Sequence, residues 1–220
     1  MTAALDLFDD AGLDGPVAAA VRRIAVAGFQ ALWSGRRVTL ADLLADDATF
    51  RQAADHLRGR GRIELSDEGH VVAVHGLARR PTRHRIEHAG GVVNTWCALD
   101  AIGIPPALAI DARALTQCPT CGAELEVTLR RGQPQPLSDA VLWYPEARGD
   151  HLVDDFCAGA NLFCSVHHLE AWVGWNPSSG TVMTIEEVAD VGREVWADVS
   201  EGFAAEIDGG SKLPSPSRGT

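Results

Sequence analysis

The stretch RIELSDEGHVVAVHGLA, residues 62–78, carries apolar residues on both sides of an Asp67–Gly69 turn and reads as the two strands of a hairpin. Upstream of it, Val17, Val21, Ile24, Gly28 and Leu32 recur at helical spacing, with Pro16 suited to the first turn and Gly35 to the end. Thr39 and Asp42 form a capping pattern that opens LADLLADD, and a third helix is expected over Ala48–Arg58, stopping near Gly59 and Gly61. Three helices followed by a hairpin is the layout of a winged helix. The expected fold class is therefore α+β, with a winged-helix-like unit over residues 16–80 behind a flexible, polar lead of residues 1–15.

Downstream, RPTRHRIEHAGG (residues 80–91) reads as a link to a second domain over 81–207. That domain opens with VVNTWCALDAIGIPPALAI, in which Gly103, Pro105 and Pro106 allow only a short helix. Strands are expected at Ala123–Leu129 and Ala140–Tyr144, with a Gly/Pro turn over Arg130–Pro136 between them. Phe156–Trp172 is apolar with few breakers. Thr184 and Glu187 make a capping box for a last helix whose buried stripe is Ile185, Val188, Val191, Val195 and Val199. The tail, residues 208–220, has the composition of a disordered segment.

The 220 residues carry a net charge of −11. Such a chain repels phosphate backbones and anionic lipid, so neither nucleic acid nor a membrane is an expected partner, although the region from Arg51 to Arg85 is richer in arginine than the rest. No apolar run is long enough to span a bilayer, and the acidic start does not resemble a secretory signal. The expected compartment is the cytoplasm, where the five cysteines stay reduced and serve as ligands or nucleophiles rather than disulfides.

Two segments concentrate the chemistry. In WCALD, Cys97 and Asp100 are three residues apart, a spacing that puts both on one face of a helix and lets a thiol pass its proton to a carboxylate. Cys157 follows sixty residues later in DDFCAGANLFCS. Two thiolates converging from separate elements would hold a soft metal, although a lone buried cysteine is more often a small core residue. A third segment, CPTCG with Cys118 and Cys121, looks like half of a zinc knuckle. Its completion would need Cys157 with Cys164, or His167 with His168. Only one half is convincing, so structural zinc is not favoured, and adjacent histidines point different ways.

WCALD and FCAGANLFCS resemble the two active-site segments of the organomercurial (alkylmercury) lyase family, and the similarity runs from about Val17 to Phe203. The resemblance implies a winged-helix-like part followed by a mixed α/β catalytic part. It implies that Cys97 and Cys157 bind the mercury of an organomercurial substrate while Asp100 relays a thiol proton to the departing carbon. It further implies that no cofactor is required, that Hg(II) product stays on Cys97 and Cys157, and that cellular thiols and mercuric reductase remove it. Cys118 falls where the family has a non-catalytic cysteine, whereas Cys121 and Cys164 look like additions, which leaves these three as secondary thiols. Ala158 stands where some members have a second adjacent cysteine. Rival readings are a winged-helix metal sensor or zinc-binding protein, and the same fold acting on another organometal or metalloid compound.

Overall fold

The computed structural model describes residues 8, 10, 12–43, 48–135, 139–147 and 149–209, the last six as backbone only. Most of the expected lead, and the expected tail beyond residue 209, lie outside the described residues.

Local signals set the N-terminal helices. In α1 (Gly15–Trp33) the Asp14 carboxylate accepts the Val17 N–H at 2.9 Å, and Val17, Val21, Ile24, Phe29 and Leu32 face the core. The short α2 (Leu40–Leu43) is opened by a reciprocal pair. The Thr39 N–H donates to Asp42 at 2.7 Å and the Asp42 N–H to Thr39 Oγ1 at 3.2 Å. In α3 (Ala48–Gly59), Phe50, Ala53, Ala54 and Leu57 are buried, and the helix packs on α1.

Residues 62–78 form three strands rather than two: β1 (Ile63–Leu65), β2 (Val71–Val74) and β3 (Leu77–Ala78). His75 and Gly76 both take positive φ, 51° and 96°, the two-residue turn that matches strand twist and reverses β2 into β3. The expected link is also a strand. Arg85–His88 (β4) pairs with β5 (Gly91–Thr95) on one side and β6 (Ala112–Gln117) on the other. With β7 (Glu124–Arg130) and β8 (Gln133–Pro134), these make one antiparallel sheet of order β1-β2-β3-β5-β4-β6-β7-β8 among the described residues. The sheet thus runs unbroken through position 80. β4 escapes a hydrophobicity reading because one of its faces is charged. Glu87 and Arg113 pair across it, Arg113 also meets Glu126 at 3.3 Å, and Arg85 meets Glu124 at 3.4 Å. The other face buries Ile86 with Ala114 and Val127. Other arginines of this region are likewise partnered, Arg62 with Asp10 at 2.7 Å and Arg80 with Glu64 at 3.7 Å.

A second antiparallel sheet has β9 (Val141–Pro145) between β10 (Asn161–Phe163) and β11 (Gly180–Met183). The expected short helix is α4 (Ala98–Ala107), which ends within two residues of its paired prolines and is buried from Ala98 through Pro106. The apolar stretch 156–172 is not one element. It holds the end of a π-helical turn (Val153–Cys157), β10, and most of α5 (Val166–Trp175).

The last helix breaks where a single one was expected. α6 (Ile185–Val195) has the Thr184–Glu187 capping box, then Trp196 caps it and α7 (Ala197–Gly209) begins, so Val199 belongs to the next helix. Trp196 is fully buried, and its indole N–H donates to the His75 carbonyl at 2.9 Å. α4 and α6 cross backbone to backbone. A Cβ on Gly103 would lie 3.0 Å from Gly192 Cα and 2.8 Å from the Trp196 ring, and one on Gly192 would overlap the Gly103 peptide. Gly192→Ala should therefore push α6 off α4 and lower the urea midpoint, by about 1–3 kcal/mol as overpacked cores do. An unchanged midpoint would show that the two helices do not meet this closely.

Candidate active site

β5 delivers the chain to the site. After Thr95 the strand ends, the Trp96 N–H donates to the Gly76 carbonyl at 2.9 Å, and Cys97 becomes the residue that caps α4, with extended backbone (φ −145°, ψ 178°). Asp100 is the third residue of the helix, and its Oδ2 folds back to accept the Cys97 N–H at 2.8 Å. The three-residue spacing thus works differently from the expected shared helical face. Cys97 stands outside the helix, and a start-of-helix hydrogen bond draws the carboxyl to it. Thr95 Oγ1 donates to the Cys97 carbonyl at 3.1 Å.

Cys157 arrives on the last residue of the π-helical turn, a wide geometry that often marks functional positions. The next turn is held by buried Asn161, whose side-chain amide donates to the carbonyls of Ala158 at 3.3 Å and Gly159 at 3.1 Å. The Ala98 N–H donates to the Ala160 carbonyl at 3.1 Å and ties the two cysteine segments together. One reactive atom from each of Cys97, Asp100 and Cys157 lies within 4.8 Å of the others, and all three residues are buried.

Burial governs the electrostatics. It raises the Asp100 carboxyl to about 7, against the opposing hydrogen bonds from the Cys97 thiol and the Cys97 and Trp96 backbone N–H groups. Asp100 has no cationic partner among the described residues. Burial also drives the Cys97 thiol well above its ordinary value, helped by its hydrogen bond with Cys157 and by the Asp100 charge. For Cys157 the hydrogen bond with Cys97 is the largest influence and acts downward, but burial with the Asp100 and Glu64 charges leaves it raised. At rest the site holds two thiols beside a carboxyl group that titrates near neutrality. A soft metal can displace the thiol protons, and the carboxylate is placed to collect one.

Access is through an open cleft of about 320 Å³ lined by Arg80, Arg83, His84, Trp96, Cys157 and Asn161, with Cys97 and Asp100 behind it. Gly76 is the site residue that sequence reasoning missed. It has φ +96°, and a Cβ there would lie 2.9 Å from Asp100 Oδ1 and 3.2 Å from the Trp196 ring. The sequence signal was the HG pair at a strand reversal, which marks the turn but not its contact with the carboxyl.

The remaining cysteines gather elsewhere. Cys118, Cys121 and Cys164 meet His168, with one ligand atom from each within 4.8 Å of the others. The second half of the CPTC group is thus one residue from each of the two completions considered, and Cys157 takes no part.

Two thiols and a proton-bearing carboxyl, buried together beside a single cleft, define a thiol-dependent enzyme for a soft metal centre. Comparison with known proteins specifies the kind. The alkylmercury lyase (MerB) family model matches residues 77–197. An alkylmercury lyase of Staphylococcus epidermidis is 25% identical over 77% of this chain and 80% of its own length. One from Streptomyces lividans is 27% identical over 75% and 78%. The crystal structure of the mercury-bound form of MerB2 superposes with a TM-score of 0.79 at 22% identity, covering 91% of this chain and all of that one. The chain belongs to the alkylmercury lyase family and is an enzyme of that type.

Gly76→Ala should leave the protein folded but displace the Asp100 carboxyl. We expect turnover of an organomercurial to fall roughly 10²-fold, as small misplacements of catalytic groups do. Wild-type turnover in this variant would mean that the carboxyl position is not critical.

Proposed function

We propose that the chain cleaves the carbon–mercury bond of organomercurials by protonolysis, with Cys97 and Cys157 as mercury ligands and Asp100 as proton carrier. One observation carries this reading: two thiols and a carboxyl that titrates at about 7 converge within 4.8 Å in a buried site.

The step balances as R–Hg–X plus two thiols giving R–H, HX and mercury held by two thiolates. Cys157 lines the cleft, so the mercury meets it first, and one thiol proton leaves with X. Cys97 then adds and gives its proton to the Asp100 carboxylate. Electron density from two thiolates weakens the carbon–mercury bond, and Asp100 passes the proton to the departing carbon, which is a very poor leaving group unless protonated. The carboxylate ends as it began. The resemblance to the family supplies these roles, and the geometry supports them. No cofactor enters the scheme.

The five cysteines are free, and the reaction consumes thiols, which suits a reducing cytoplasm and a role in mercury resistance. Among the described residues no helix is long and apolar enough to cross a membrane. Cellular dithiols, or mercuric reductase, are the expected acceptors of the bound Hg(II). The order α1, α2, α3 and the β1–β2 hairpin supports a winged-helix-like reading of the N-terminal part, joined to the catalytic part through the shared sheet.

The test is release of the hydrocarbon from an organomercurial in excess thiol. Cys97→Ser and Cys157→Ser should each abolish it. Asp100→Asn should lower it by about 10²- to 10⁴-fold, the usual range for a lost general acid, while the cysteines still capture the organomercurial. Near-normal release by Cys157→Ser would rule out the two-thiolate scheme.

A further inference from the structure

The second cysteine cluster lies outside the catalytic trio and is built from two well-ordered pieces. Cys118 follows β6, and Cys121 sits in the turn before β7. The Gly122 N–H donates to the Cys118 carbonyl at 2.8 Å, the Cys118 N–H to the Ala123 carbonyl at 2.9 Å, and Gly122 takes φ +74°. Cys164 follows β10, and His168 lies in the first turn of α5, where Ser165 Oγ accepts its N–H at 3.3 Å. Thr120 Oγ1 donates to the His168 carbonyl at 2.7 Å and locks the two pieces together.

We propose that Cys118, Cys121, Cys164 and His168 bind one Zn²⁺ as a structural site of three thiolates and one imidazole.

The spacing of the donor atoms carries the proposal. Zinc–sulfur bonds of about 2.3 Å in a tetrahedron put neighbouring sulfurs about 3.8 Å apart, and a sulfur and an imidazole nitrogen about 3.5 Å apart. Here Cys121 Sγ lies 3.8 Å from Cys164 Sγ, and Cys164 Sγ 3.9 Å from Cys118 Sγ. His168 Nδ1 is 3.7 Å from Cys118 Sγ, and its shorter approach to Cys164 Sγ, 2.9 Å, opens slightly when a metal separates them. A disulfide would bring two sulfurs to about 2.05 Å, and none of these pairs is near that. Backbone N–H groups of Thr120, Cys121 and Cys164 hydrogen-bond the Cys118 sulfur, the outer-shell support that a metal-bound thiolate receives. The imidazole selects zinc over a soft-metal trap, which would be built of thiolates alone.

The site also has structural work to perform. Around it Cys118, Trp143, Phe163 and Leu169 form a hydrophobic cluster separate from the main core. So small a cluster gains most from a metal staple. Zinc would clamp the β6–β7 turn to the start of α5 and fix one end of the segment whose other end is Cys157. The zinc replaces thiol protons, which pass to solvent.

The experiment is metal analysis of the full chain purified without chelator. We expect one zinc per chain, kept in the Cys97→Ser/Cys157→Ser double variant and lost in Cys164→Ser and His168→Ala. Should those single variants fail to fold, the wild type still decides the matter. Chelation should lower its thermal midpoint, and Co²⁺ added to the stripped protein should give the visible bands of tetrahedral thiolate coordination. Zinc absent from the wild type together with no such cobalt spectrum would overturn the proposal. Zinc lost from the Cys97/Cys157 double variant would place the metal in the catalytic trio, and uptake of mercury but neither zinc nor cobalt would make the cluster a mercury trap. Either result would overturn it as well.

Discussion

A carboxyl group buried without a cation is the constraint around which this molecule is arranged. Asp100 sits at the start of α4 with its charge opposed only by hydrogen bonds from Cys97 and Trp96, and burial outweighs them. An ionised carboxylate there is costly, so the group keeps its proton to about pH 7. This burial needs several concessions from the fold. Gly76 leaves out a side chain beside Asp100 Oδ1, the Trp196 ring closes the same space, and Gly103 and Gly192 let α6 pack directly on α4. The β2–β3 turn, β5 and α6 are thereby tied to a single side chain.

The arrangement has a thermodynamic consequence. Unfolded aspartate ionises near 3.9, well below the folded value, so the folded protein holds the extra proton through the interval between them. The stability associated with that proton is fully present below about pH 4 and is lost as pH rises towards 7. The site therefore stores, at neutral pH, a group poised to accept or release a proton at some expense of fold stability. Such poise is what a reaction that must protonate carbon requires.

How much of this was legible in the sequence depends on the range of each interaction. Pro16, the Thr39–Asp42 pair and the Thr184–Glu187 box act within one turn of chain, and the helices they start are where the sequence placed them. Cys97, Asp100 and Cys157 were legible through their resemblance to a family, while the reason Asp100 meets Cys97 was not, since the helix begins one residue later than a shared face requires. β4 was hidden because its charged face pairs with β6 and β7, which local hydrophobicity cannot reveal. Trp196 looks like one more apolar residue of a helix until His75, far away in sequence, is seen to accept its indole N–H. His168 was set aside because its partner Cys118 is fifty residues distant. Only tertiary packing makes Gly76, Gly103 and Gly192 informative.

The account stands or falls on the protonation of Asp100. It can be read directly by following the side-chain carboxyl signals of ¹³C-labelled aspartate in the reduced protein against pH, with Asp100→Asn assigning the resonance. The account predicts a midpoint near 7 for that carboxyl. A midpoint near 4, the range of an ordinary aspartate, would contradict it: the group would then be fully ionised at neutral pH and unable to hold the proton that the carbon must receive.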